Sequence, residues 1–154
     1  MSYDIKNGIS NREEYSCIAT NAGAGANIEF PIFVAPGNCI VRQVTITPRT
    51  STVRLDTAFH TFYIYDKGSA GTASNVIVSG STANVNSGTQ SLLSFDEVDI
   101  KNISSGNTYS STHNILAAGD VISFANVSGG TAAVIPDMLV KITYELMDIK
   151  EPAY

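Results

Sequence analysis

The side chains able to do chemistry in this chain are few, and their spacing does not assemble them. His60 and His113 are the only histidines. His60 follows Asp56 by four residues, a spacing that aligns side chains on a helix, yet this region has the composition of a strand. There is no Gly-x-Ser-x-Gly elbow, and two isolated histidines do not make a triad, so each is read as an ordinary surface or turn residue. Asp96, Glu97 and Asp99 form the densest acidic group. Carboxylates this close could cleave a glycoside or hold calcium, but the Asp-x-Asp-x-Asp-Gly loop is missing and the group reads as a solvated strand face. Cys17 and Cys39 lack the Cys-x-x-Cys spacing of a zinc site and read as buried free thiols rather than a bridge. The run Gly23-Ala-Gly-Ala-Asn-Ile28 has neither a third glycine nor a Lys-Ser/Thr pair. It also precedes a strand, where a phosphate loop needs a helix N-terminus. No catalytic residue, cofactor or metal site is assigned, and the chain is read as non-enzymatic.

Tyrosine is the residue type left to recognise something. Tyr63 and Tyr65 fall on the opposite face of their strand from Ile64, and one of those two faces must be buried. They are candidate interaction residues together with Tyr109, either as a sugar-stacking platform or as part of a packed core or subunit interface. Asn102-Ile-Ser104 and Asn126-Val-Ser128 match the glycosylation acceptor pattern, and with no route to the secretory pathway they are read as chance matches.

The elements that must carry these residues are strands. Met138, Val140, Ile142, Tyr144 and Leu146 fall on one face and Lys141, Thr143 and Glu145 on the other, the two-residue period of a half-buried antiparallel strand. Ile115 to Ala125 precedes it as a second strand, with Gly129-Gly130 read as the break between them. Ile28, Phe30, Ile32 and Val34 alternate with Glu29, Pro31 and Phe33. Pro31 cannot donate to a ladder, which places this strand at an edge or puts a bulge there. Ala35-Pro-Gly-Asn38 is turn chemistry. Cys39 to Thr47 follows with Ile40, Val44 and Ile46 on one face, then Ala58 to Asp66 and the shorter Asn75 to Ser79. Tyr15 to Thr20 is a further short strand. Leu92 to Ile103 fits neither period cleanly; a strand near Glu97 to Ile103 is expected, with a bulge or short turn before it.

No apolar repeat at three and four residues is sustained, so no long helix is expected. About eight short strands separated by turns, with no helices for parallel crossovers, predict an all-β antiparallel sandwich of the jelly-roll type. An immunoglobulin-like sandwich, the second choice, would carry a buried tryptophan, and this chain has none. Residues 1–14 read as a polar N-terminal arm, 15–147 as the single domain and 148–154 as a C-terminal tail.

Composition narrows the partners. Charged residues make up 15% of the 154, against about 25% for ordinary globular proteins. Such a surface of hydroxyls and amides suits packing against copies of itself or a neighbour. The net charge is −5 and the nine basic residues are scattered, so nucleic acid is not an expected partner. No apolar stretch approaches the ~18–20 residues that span a bilayer, and no membrane association is expected. The N-terminus lacks the basic and apolar regions of a signal peptide.

Three segments carry a resemblance: Phe30-Pro-Ile-Phe-Val-Ala-Pro-Gly-Asn-Cys-Ile-Val-Arg-Gln-Val-Thr-Ile46, the aromatic strand ending Asp66-Lys-Gly-Ser-Ala-Gly71, and Leu116-Ala-Ala-Gly-Asp-Val-Ile-Ser-Phe124. Over residues 28–147 this pattern resembles small jelly-roll virion proteins of tailed bacteriophages, of the capsid decoration (cement) or head-fibre base type. The resemblance implies a protein bound to the major capsid protein on the outside of the shell, acting as a homotrimer, made in the host cytoplasm. The arm would then reach a neighbouring subunit. Only Met147 to Tyr154 follow the last strand, which favours a compact decoration protein over a full fibre. The alternative is a carbohydrate-binding or receptor-recognition module of a head fibre or tail.

Overall fold

The computed structural model describes residues 12–19, 27–52, 57–83, 92–104, 107–130 and 136–147. Residues 1–11, the glycine run at 21–26, most of the connections at 53–56 and 84–91, and the tail at 148–154 lie outside the described residues. Nine strands are present among the described residues: β1 (Arg12–Ala19), β2 (Ile28–Val34), β3 (Cys39–Pro48), β4 (Ala58–Asp66), β5 (Asn75–Ser81), β6 (Val98–Asp99), β7 (Ile115–Leu116), β8 (Val121–Gly130) and β9 (Met138–Leu146). One short helix, α1 (Ile100–Ile103), interrupts them. One sheet runs β1-β9-β3-β6, with β7 also on β3; the other runs β2-β8-β4-β5. Every pairing is antiparallel. The chain is thus a long hairpin folded over itself, β1 against β9, β2 against β8, β3 against β7 and β4 against β5. That is the jelly-roll wrap.

Alternation drives the assembly. Met138, Val140, Ile142 and Tyr144 of β9 are buried, as are Phe62 and Ile64 of β4 and Ile122 and Phe124 of β8, with Ile64 directly opposite Phe124 in the second sheet. Phe62 and Phe124 stack with centroids 6.0 Å apart at the centre of the core. Pro31 fulfils both expectations at once: β2 is an edge strand, and its register shifts between Pro31 and Phe33. Because of that bulge Ile32 and Phe33 are both buried, while Val34, expected inward, is exposed. A second shift, between Val41 and Gln43, turns Cys39 and Val41 inward ahead of Val44 and Ile46, so Ile40 leaves the predicted face.

Four further expectations are corrected. The polar arm ends earlier than Glu14, because Arg12, Glu13 and Glu14 already pair with Glu145, Tyr144 and Thr143. Charges on an edge strand discourage pairing with other chains, and from sequence alone they look like a tail. Gly129-Gly130 is not a break; β8 continues through it opposite Phe59 and Ala58. A side chain at Gly129 would lie 2.2 Å from the Phe59 ring, so the ring occupies the place of a Cβ. Residues 97–103 are not one strand: Val98 and Asp99 bridge to β3, and α1 follows, capped by the Asp99 carboxylate accepting from the Lys101 N–H. The stretch from Ile115 to Ala125 is two strands separated by a turn, in which Gly119 takes φ 88° and Asp120 accepts from the Ala117 N–H.

Candidate functional site

Strand β4 sorts its side chains cleanly. His60, Phe62 and Ile64 point into the core, which leaves Tyr63 and Tyr65 on the outer surface of the four-stranded sheet. Their rings stack with centroids 5.4 Å apart and planes within 9° of parallel. Register places Tyr63 beside Ala125 of β8 and Glu29 of β2, and Tyr65 beside Ser123 and Pro31. The two small residues of the central strand are covered by their larger neighbours. Two residues beyond Tyr65, the Lys67 ammonium lies 5.7 Å from its ring centroid. Lys67 also bridges to Glu29 at 3.0 Å, and Ser123 donates to the same carboxylate oxygen at 2.7 Å. A third bond joins Lys67 to the Ser74 hydroxyl at 3.1 Å. The result is a ladder of aromatic, aromatic and cation ending on a carboxylate. It borders a cleft of about 430 Å³ lined by Glu29, Phe30, Pro31, Lys67, Gly71 and Ser123.

Hydrogen bonds and burial shift two groups of this ladder, Glu29 and Tyr65. The Ser123 hydroxyl and then the Lys67 ammonium keep the Glu29 carboxyl below its usual range. Partial burial, with Tyr63 and Glu29 adding to it, pushes the Tyr65 phenol up, so it stays a neutral donor at any physiological pH. Lys67 keeps only 15% of its side chain exposed, so its ammonium meets partners held in place rather than swinging in water.

Tyr109 belongs elsewhere. Its hydroxyl accepts from the Val44 N–H at 2.5 Å and lies 2.9 Å from the Asp99 carboxylate, to which it donates. Lys101 lies over its ring. It is a structural strut on the five-stranded sheet, and it does not join Tyr63 and Tyr65.

The remaining candidates are separated by the fold. Glu97 binds Lys141 at 2.5 Å and Thr45 at 2.6 Å, Asp99 caps α1 and receives Tyr109, and Asp96 is exposed, so the acidic group does not act together. Cys17 and Cys39 are free and stand on β1 and β3 with β9 between them. Their partners on β9 are Val140 and Leu146, an offset of about 20 Å along the strands. Cys17 is only partly buried, short of the burial expected for it. Burial raises both thiols, that of Cys39 to about 11, which removes the thiolate that reactivity needs.

His60 is a correction: it is buried, not a surface or turn residue, and its phase with Phe62 and Ile64 carried the signal. Its Nδ1 has no hydrogen-bond partner. Burial pushes the imidazole below its ordinary value, and the neighbouring Asn126 amide offsets only part of that. The folded chain therefore stays neutral at His60 while the unfolded chain takes up a proton as pH falls through about 6.5. Stability is complete above that value and is lost below it, down to the depressed folded value, at no more than about 1.4 kcal/mol per pH unit. Urea midpoints at two pH values either side of 6.5 measure this, and His60→Gln is expected to remove the histidine's share of the acid loss.

Among the described residues no helix is long and apolar enough to cross a membrane. No protein-family model matches this chain, and no curated protein matches it by sequence.

Proposed function

We propose that this protein is a non-enzymatic structural component of a tailed-phage virion, a decoration protein that docks as a homotrimer on the outer surface of the major capsid protein and stabilises the shell. One observation carries the reading. The outer face of the four-stranded sheet presents a pre-ordered ladder of Tyr63, Tyr65, Lys67 and Glu29, while Glu97 and Asp99 are paired within the five-stranded sheet and Cys39 and His60 are buried. Rigid aromatic anchors beside a fixed ion pair are the composition of an interface hot spot. The three segments that carry the virion-protein resemblance also meet at one corner beside this face. Ala35 N–H donates to Asp120, Gly119 N–H to Ala35, Lys67 N–H to Val121 and Val121 N–H to Gly68, all between 2.8 and 3.2 Å. A corner tied in this way holds the ladder still, so little order is lost on docking. Many copies of one such contact then reinforce a lattice without any catalytic group.

The test is sedimentation of purified protein with capsids that lack it. Saturable binding at a fixed ratio to the major capsid protein is expected, and Tyr63→Ala is expected to weaken it by about tenfold or more. Absence of binding would sink the proposal.

A second reading, recognition of a glycan by the same face, draws on the cleft beside the tyrosines and its polar lining of Glu29, Lys67 and Ser123. The stacking works against it. Tyr63 and Lys67 flank Tyr65 along the strand, leaving Tyr63 as the one ring of the pair with a face for a sugar. A glycan-array signal lost in Tyr63→Ala, with no capsid binding, would select this second reading.

A further inference from the structure

A row of backbone groups is left open along one margin of the sandwich. Of the four sheet edges, three are closed or broken. Along β5 the Ile77 carbonyl accepts the Ser110 N–H at 2.8 Å, and the Ser81 N–H donates to the Ser104 hydroxyl at 3.2 Å. The far side of β3 is taken by β6, β7 and the Tyr109 hydroxyl. β2 is interrupted by Pro31, which has no N–H, and by the register shift that follows it. β1 alone remains, eight residues with neither proline nor glycine, in unbroken register with β9. The direction of its free groups follows from the ladder. The Met147 N–H donates to the Asn38 carbonyl and the Arg49 N–H to the Asp137 carbonyl, so odd-numbered residues of β9 turn their backbone to β3. The even-numbered residues Met138, Val140, Ile142 and Tyr144 therefore turn theirs to β1, where they face Ala19, Cys17, Tyr15 and Glu13. That leaves the N–H and C=O groups of Glu14, Ser16 and Ile18 pointing away from the sheet. Among the described residues nothing bonds to them.

The side chains beside this edge are incompletely covered. Tyr15 meets Phe33 of β2 at 5.5 Å between ring centroids, which brings the β1 and β2 edges together as one seam. Along it Tyr15 is 43% exposed, and Cys17, Ile28 and Phe30 touch the core yet are only partly buried. A strand laid on β1 sets every second side chain over that seam. We infer that β1 is a docking edge for an extended segment of the partner protein, added as a further strand of the five-stranded sheet. This rests on the virion reading, under which the segment belongs to the major capsid protein. The backbone selects an extended chain, because only such a chain repeats N–H and C=O groups at the spacing of Glu14, Ser16 and Ile18. Side chains narrow the choice: an apolar residue fits beside Ile18, which is 68% exposed, and a lysine or arginine beside Glu14. The acidic end of β1 thus acts as a filter, admitting a strand with a cation at that position and repelling others. A second copy of β1 does not match, since self-pairing about Ser16 sets each Glu14 carboxylate against an Ile18 side chain.

Ser16→Pro isolates the edge, because it removes an outward N–H and spares every bond to β9. It should keep the wild-type urea midpoint, yet bind capsids that lack the protein at least tenfold more weakly. Amide hydrogen exchange of the unaltered protein gives the same answer without a substitution. Glu14, Ser16 and Ile18 should exchange at least tenfold more slowly on the capsid than free in solution. Tyr63→Ala should weaken binding, while the fraction that still binds protects these three amides. Wild-type affinity in a folded Ser16→Pro, or amides that exchange as fast bound as free, would overturn the assignment and leave the virion reading standing. A wild type that binds no capsid sinks that reading, and this occupant with it.

Discussion

Gly80→Ala is expected to destabilise the protein by about 2 kcal/mol or more, seen as a lower urea midpoint at an unchanged slope. Gly80 lies in β5 opposite Phe62, and α1 packs directly on it. A Cβ there would come within 2.2 Å of the Ile100 carbonyl oxygen and 3.0 Å of the Ile103 Cβ. The first contact is with backbone, so no rotamer change relieves it and α1 must move. That movement pulls on Ile100 and Ile103, both fully buried, and on the Ser104 hydroxyl that accepts from the Ser81 N–H. Against this stands the entropic gain of alanine over glycine in the unfolded chain, about 0.4–1 kcal/mol, which is too small to reverse the sign. Two control glycines isolate the cause. Gly37 has ordinary space around it, with its nearest neighbour at 3.8 Å, and Gly37→Ala should be neutral or stabilising. Gly71 has open space but φ 70°, and Gly71→Ala should cost about 1 kcal/mol for the backbone alone. A wild-type midpoint for Gly80→Ala would mean that α1 is not seated as described.

The strands were legible wherever alternation ran without a bulge. Ala58–Asp66 and Met138–Leu146 have the boundaries that their patterns indicate, because one face is buried and a slip of one residue would expose it. What stayed hidden depended on partners remote in sequence. Nothing local announces that Phe59 of β4 lies directly opposite Gly129 of β8, so two glycines read as punctuation. The helix α1 did leave a trace, an Asp99 cap before Ile100 and Ile103 at a spacing of three, but four residues are too few for periodicity to register. Bulges in β2 and β3 shift the burial phase partway along a strand, which no single period describes. For the site, Tyr63 and Tyr65 could be placed on a shared face. Their ionic end could not, since Glu29 and Lys67 meet only because β8 stands between β2 and β4. The exposed Phe95 sits in the one stretch that fits neither period, for its backbone conformation is not strand at all.

Tyr109→Phe is expected to cost about 2–4 kcal/mol, a large loss for the removal of one oxygen atom. Strand β3 is paired on one side along its length by β9, but on its other side β7 covers only Cys39 and Ile40, and β6 only Thr45 and Ile46. The gap between them falls at the bulge. Val41 is satisfied there by Asn114, whose carbonyl accepts its N–H at 2.8 Å. Val44, with no strand on that side, donates instead to the Tyr109 hydroxyl. The phenol thus performs the task of a missing strand carbonyl and passes its own proton toward Asp99 at 2.9 Å. Asp99 in turn accepts from the Lys101 N–H at the start of α1 and from the Gln43 amide at 3.2 Å. Phenylalanine keeps the ring and its packing under Lys101, but it leaves a Val44 donor unsatisfied and removes a charge-assisted bond from a buried carboxylate. Both groups lie where water enters poorly, so neither loss is replaced. The same site gives an independent spectroscopic readout. Burial raises the Tyr109 phenol far above its ordinary range, so it should not ionise in an alkaline titration until the chain unfolds. The group's folded value lies above its unfolded value of about 10, so its contribution is complete below that pH and is lost as pH rises beyond it. Tyr109→Phe should therefore lower stability at neutral pH and flatten its fall above pH 10. A small loss at neutral pH with an unaltered alkaline profile would mean that Val44 and Asp99 find other partners, and that the gap in the sheet is closed by something other than this hydroxyl.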